Sequence, residues 1–206
     1  NKEKINVKVI SPNIKLKYDL SEKDISRLID ILIKYSEPDP NKETIFIWPE
    51  GVFSGYYFHE LFQFKNKFKK NFSPNHKILF GVNTLDKKKN KFYNSLIIVD
   101  HNFEEIYSYN KKKLVPFGEF LPLEKFLNNL GFKKITEGYG SFSKGGQEKI
   151  FIQNELKILP LICYEIIFPE LVQKRADEIN LIVNISEDAW FKQSIGTYQH
   201  FTKAIF

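Results

Sequence analysis

Methionine is absent from all 206 residues, arginine appears only as Arg27 and Arg175 among 31 basic side chains, and there is one cysteine, Cys163. Each scarcity excludes something. A single thiol cannot close an internal disulfide, so no covalent staple supports the fold and the redox compartment is left open. Nucleic-acid readers concentrate arginine with exposed aromatics on one face; here the basic charge is scattered lysine mixed with 25 acidic residues, so nucleic acid is not an expected partner. Runs such as Lys87-Lys88-Lys89 and Lys111-Lys112-Lys113 read first as solvated faces. No apolar run is long enough to span a bilayer, and no signal-peptide pattern opens the chain, so these residues are expected to be soluble alone. The missing methionine at position 1 and the end at Ala204-Ile205-Phe206, inside a helix-like stretch, lead us to expect a segment of a longer protein.

What is present suits one folded domain over residues 1–206. The hydrophobic fraction is 42%, with a net charge of +6 and a pI near 9.1, and a chain of this length can build a sizeable core. Ile5 to Ile10 alternates apolar and polar side chains, predicting a first strand. Ser21-Glu22-Lys23-Asp24 resembles a capping box, and Ile25, Leu28, Ile29 and Leu32 follow at helical spacing, predicting a helix to about Ser36. Thr44 to Trp48 reads as a buried strand delivering Pro49-Glu50 at its end. Phe58, Leu61, Phe62 and Phe68 predict a helix over Tyr57 to Phe72.

Strands are expected at Lys77 to Val82, Phe92 to Asp100 and Glu105 to Tyr109, with a lysine-rich turn at Asp86 to Lys91. The stretch from Leu123 to Gly146 holds five of the ten glycines and is expected to be a short helix at Leu123 to Leu130 followed by a long loop. Beyond it come strands at Lys149 to Ile152 and Lys157 to Cys163, a helix from Phe168 to Ala176, a strand from Leu181 to Ile185 and a last helix near Gly196 to Phe206. Alternating strands and helices define an α/β class.

Catalytic groups in such folds gather at the carboxyl ends of strands, where Glu50, the Lys111 region and Cys163 all fall. A lone cysteine behind an apolar strand is by itself more often core than catalyst. The three residue types nonetheless complement one another. A thiol with an ordinary pKa of about 8.5 needs a base, a carboxylate desolvated beside Trp48-Pro49 and Val52-Phe53 can be that base, and an ammonium can stabilise the negative oxygen of a tetrahedral intermediate.

Four segments carry a family resemblance. They are Trp48-Pro49-Glu50, Tyr109 to Pro122 with Val115-Pro116-Phe117-Gly118-Glu119 inside it, Ile162-Cys163-Tyr164-Glu165, and Asp188-Ala189-Trp190-Phe191 through Gln199-His200-Phe201. In this order they resemble the carbon–nitrogen hydrolase (nitrilase) superfamily, and within it the apolipoprotein N-acyltransferases. The resemblance implies a four-layer α-β-β-α sandwich, here lacking its C-terminal closing elements. It also implies a Glu50, Lys111, Cys163 triad, the lysine standing eight residues before Glu119.

Glu119, Tyr164 and Glu165 are implied as supporting residues, with no metal and no organic cofactor. Glu119 alone would read as a loop salt bridge, and Glu165 equally well as part of a capped turn. The implied reaction moves an acyl chain from a phospholipid, through a Cys163 thioester, to the amine of a diacylglyceryl lipoprotein. The implied setting is the periplasmic face of a bacterial inner membrane. Phe53, Tyr56, Tyr57, Phe58, Phe132, Tyr139 and Phe142 are candidate aromatics for acyl-chain entry from the membrane surface.

Two residues depart from the pattern, Glu187 where relatives carry Asn and Lys192 where they carry Gly. A soluble amidase of the same superfamily and a truncated non-catalytic remnant are the competing readings. A Cys–His hydrolase using His101 or His200 ranks last among them, since neither histidine lies in a motif that requires it.

Overall fold

A computed structural model of the chain describes residues 5–12, 14, 19–120, 141–146, 150–187 and 202. The order of elements is β1 (Asn6–Val9), α1 (Glu22–Ser36), β2 (Thr44–Ile47), α2 (Lys65–Asn71), β3 (His76–Asp86), β4 (Lys91–Val99), β5 (Glu105–Asn110), β6 (Phe151–Gln153), β7 (Leu156–Ile162), α3 (Pro169–Gln173) and β8 (Leu181–Ile185). The short helix expected near Leu123, the loop behind it as far as residue 140 with Phe132 and Tyr139, nearly all of the last helix and the Asp188 to Phe201 motif lie outside the described residues.

Strands β1 to β5 form one sheet in chain order, parallel from β1 to β3 and antiparallel from β3 to β5. A second sheet runs β6-β7-β8, antiparallel and then parallel. The β2 run Thr44-Ile45-Phe46-Ile47 is buried on both faces, as expected of a strand covered from two sides. Phe46, Trp48, Ile78 and Phe80 point to α1 and α2, where Ile25, Ile29, Leu32 and Phe68 meet them. Ile45, Ile47, Leu79, Leu96 and Ile98 point the other way and pack on Ile158, Ile162, Val183 and Ile185 of the second sheet. Helix, sheet and sheet are thus stacked, in the α/β sandwich the sequence predicts.

Local chemistry sets the boundaries. Ser21 Oγ accepts the Asp24 N–H at 3.2 Å and the Asp24 carboxylate accepts the Ser21 N–H at 2.9 Å, so the capping box opens α1 as read. Glu37 closes it with a left-handed φ of 43°. The buried Trp48 indole donates to Ser36 Oγ at 3.0 Å, and that hydroxyl donates to the Leu32 carbonyl at 2.8 Å. A large aromatic is therefore buried with no orphaned donor.

Three expectations change in detail. The helix read over Tyr57 to Phe72 is a 3-10 turn at Phe58–Phe64 continued by α2. The helix read from Phe168 to Ala176 divides into α3 and a short 3-10 turn at Ala176–Glu178. Phe53, Tyr57 and Phe58, candidates for contact with a membrane, are buried. They fill the core, Phe53 edge-on to Phe80 and Phe58 beside Phe103.

Candidate active site

Glu50 stands on the turn that leaves β2, followed by Gly51 at φ 73°. Two donors fix its carboxylate: Asn94 Nδ2 on Oε1 at 3.0 Å and the Glu187 backbone N–H on Oε2 at 3.1 Å. Beneath it, Gly81 of β3 leaves room that a larger residue would take, since a Cβ there would lie 2.9 Å from Glu50 Cα. Desolvation raises the Glu50 pKa above the ordinary carboxylate range, against the opposing pull of Lys111 and the Asn94 hydrogen bond.

Lys111 directly follows β5 and is 2% exposed although it is a lysine. Its ammonium donates to Glu119 Oε1 at 2.9 Å, and the Glu119 carboxylate is itself buried. A buried cation survives only with paired charge. Burial lowers the Lys111 pKa, but the negative charges of Glu50 and Glu119, joined by Cys163 once it ionises, outweigh it and hold the group protonated well above the usual lysine range. The Val115 N–H fixes Glu119 Oε2 at 2.9 Å, so the Val115-Pro116-Phe117-Gly118-Glu119 turn folds its own last carboxylate back onto the lysine.

Cys163 follows β7 with a φ of 51° and starts a 3-10 turn, Cys163–Ile167. A left-handed φ on a non-glycine residue costs on the order of 1 kcal/mol and turns the side chain out of the strand direction. Burial pushes the thiol up to about 12, with the Glu50 charge adding to the effect, while Lys111 and a hydrogen bond to Ser186 oppose it. The group therefore rests as a thiol at neutral pH.

Glu165, fully buried two residues later, holds two segments together. Its Oε1 accepts from Tyr109 Oη at 2.9 Å, the Lys112 N–H at 2.7 Å and the Lys113 N–H at 3.0 Å, and its Oε2 accepts the Ile162 N–H at 3.0 Å. Desolvation raises its pKa against all four donors. Tyr164 is 38% exposed and stacks edge-on with Phe168, over which the Lys113 ammonium sits at 4.6 Å.

Glu50, Lys111, Glu119 and Cys163 thus lie within one electrostatic cluster, and Glu165 braces it. Sequence reading missed Asn94 and Ser186, whose only signal is a polar side chain in or just after a strand. His101 lies at a turn beside Asp100, and His200 lies outside the described residues.

Residues 25–204 match the carbon–nitrogen hydrolase family model. The chain belongs to the carbon–nitrogen hydrolase family. A relative from Rickettsia prowazekii (strain Madrid E) named apolipoprotein N-acyltransferase is 32% identical over 202 residues, 96% of this chain and 40% of that protein. Another of the same name from Rickettsia typhi is 41% identical over 124 residues, 59% of this chain and 24% of that protein. The chain therefore spans well under half the length of these relatives.

Among solved structures, a carbon–nitrogen hydrolase from Helicobacter pylori G27 superposes with a TM-score of 0.61 at 13% identity, covering 97% of this chain and 68% of that one. An amidase from Nesterenkonia sp. gives a TM-score of 0.53 at 15% identity, covering 93% and 68%. At such identities the two show the fold. Among the described residues, no helix of this carbon–nitrogen hydrolase domain is long and apolar enough to cross a membrane.

Proposed function

We propose that this domain is the catalytic part of an N-acyltransferase working through a Cys163 thioester. The observation that carries it is the Lys111–Glu119 pair, a buried cation 2.9 Å from a carboxylate that shares Asn94 with Glu50. A surface lysine has no reason to be so placed. A cation that guards the negative oxygen of an acyl intermediate does.

In the first step Glu50 takes the Cys163 proton as the sulfur attacks the carbonyl of a phospholipid ester. The carbonyl oxygen becomes an oxyanion facing the Lys111 ammonium. The tetrahedral intermediate collapses, the C–O bond breaks, and the departing alkoxide takes the proton from Glu50 to leave as a lysophospholipid alcohol. In the second step the α-amine of a diacylglyceryl lipoprotein attacks the thioester, gives its proton to Glu50, and the returning proton restores the thiol. The resting thiol and the carboxylate with a raised pKa suit this arrangement, because the proton moves only as the carbon–sulfur bond forms. The names of the relatives support acyl transfer to an apolipoprotein amine; the phospholipid donor and the periplasmic face of a bacterial inner membrane are what the motif resemblance implies.

The purified protein incubated with phospholipid vesicles is expected to gain one acyl mass on Cys163, and to pass it to a diacylglyceryl lipopeptide. Ammonia release from small amides without any acylated lipopeptide would replace this reading with that of an amidase. A protein showing neither activity and no acyl adduct would be a non-catalytic remnant.

A further inference from the structure

One residue outside the motifs hydrogen-bonds two carboxylates of the site and the main chain of its lysine. Asn94 lies on β4, opposite Asn83 of β3. Its amide nitrogen donates to Glu50 Oε1 at 3.0 Å and to Glu119 Oε1 at 2.9 Å, and its carbonyl accepts the Lys111 backbone N–H at 2.8 Å. Both N–H bonds of one carboxamide are therefore spent on two carboxylates, while the main chain of the same residue fixes the strand end that carries the lysine.

We propose that Asn94 is a positioning residue that divides labour between the two carboxylates, holding Glu119 on the lysine and keeping Glu50 free to accept a proton. The proposal rests on the reading of Glu50 as the base. Glu119 has its cation, Lys111, on the oxygen it shares with Asn94, and the Val115 N–H on the other. Among the described residues, the hydrogen-bond donors to Glu50 are both neutral, Asn94 and the Glu187 N–H. A carboxylate paired with a cation is a poor base, and one held by neutral donors keeps its basicity. Without the Asn94 bridge, two like charges that face one ammonium lose the neutral donor they share. Among the described residues, the charged or titratable groups facing Glu50 are Lys111, Glu119 and Cys163, with the Glu187 side chain against the adjacent Gly51.

Asn94→Asp keeps the shape and removes both donors, and Asn94→Ala removes the side chain. Because Cys163 is the only thiol, alkylation by iodoacetamide reports it alone and requires no acyl substrate. In either folded variant, second-order alkylation at pH 7.5 is expected to fall about tenfold or more, within the reach of general-base effects, and the acid limb of its pH profile is expected to move to higher pH. A loss without movement of the acid limb, or a profile unchanged within twofold, overturns the proposal.

The wild-type protein gives a test that needs no variant. The Asn94 side-chain amide protons, followed by NMR, should exchange slowly and shift with the Glu50 titration; exchange at the rate of a free asparagine overturns it. Failure of acyl transfer leaves these readouts untouched, so the two readings fall separately.

Discussion

The Glu165 carboxylate and the Lys112 main chain, 53 residues apart in sequence, are joined by a 2.7 Å hydrogen bond. Through it, the turn that carries Cys163 and the strand end that carries Lys111 are held by one buried side chain. Glu165→Ala leaves the Tyr109 hydroxyl and three backbone N–H groups without their acceptor. The expected loss is about 3–5 kcal/mol in urea unfolding, as for a broken buried polar pair. Glu165→Gln retains one acceptor oxygen but sets an N–H group against a donor, with an expected cost of about 1–3 kcal/mol. A variant as stable as wild type would remove the bracing role.

Gly81 is needed for space beneath Glu50. A Cβ in Gly81→Ala would meet Glu50 Cα at 2.9 Å and Ile185 Cδ1 at 3.1 Å, so the Glu50 turn must shift. Acyl-enzyme formation is expected to drop about 100-fold, the effect of misplacing a reacting group by about 1 Å. Overpacking is expected to cost about 1–3 kcal/mol of stability. Gly146→Ala, with nothing among the described residues within 4 Å of its added carbon, is the control and should match wild type in both assays.

The pH dependence of Cys163 acylation follows from the directions of the shifts. In the proposed mechanism Glu50 must be a carboxylate to take the proton, and its pKa is raised by desolvation. The rate should therefore fall with decreasing pH at values above the ordinary glutamate range of about 4.3. Lys111 is held protonated beyond the usual lysine value, so its deprotonation should produce no alkaline limb below about pH 10.4. Stopped-flow measurement of thioester formation checks both arms, and an acid limb at or below 4.3 would exclude Glu50 as the base.

His76 is fully buried, with Nδ1 accepting the Ser73 N–H at 3.0 Å and Nε2 facing the Asp39 carbonyl at 2.8 Å. An acceptor at Nδ1 leaves the proton on Nε2, and desolvation lowers the pKa. In the window below the unfolded value of about 6.5, the unfolded chain binds a proton that the folded chain does not. Stability from His76 is thus complete above about 6.5 and is lost as pH falls toward the folded value, at up to about 1.4 kcal/mol per pH unit. Subtracting the pH–stability curve of His76→Gln from that of wild type isolates this slope, because the buried carboxylates act equally in both. A flat difference between about pH 6.5 and 5 would refute the assignment.

The strands and α1 could be read because their apolar periods and the Ser21–Asp24 box are local signals. The split of the Phe58 to Asn71 helix could not, since the apolar residues there suit either helix type. Glu50, Lys111 and Cys163 were legible through motifs at strand ends. Asn94 was not, because a polar residue in mid-strand looks like a solvent-facing one until another strand end brings two carboxylates to it. Phe53, Tyr57 and Phe58 failed as surface candidates for the same reason in reverse: nothing in their spacing tells which side of the sheet will cover them.

The Glu187 N–H reaches Glu50 across 137 residues of sequence. Contacts of such separation form late, after the loop between them has closed. During synthesis β1 to β5 can order first, since chains fold from the N-terminal end. Glu50 acquires its second anchor only once the segment after β8 has emerged and docked. Completion of the site in time therefore coincides with completion of the second sheet, and an unfinished molecule carries a thiol beside a Glu50 that lacks its second anchor.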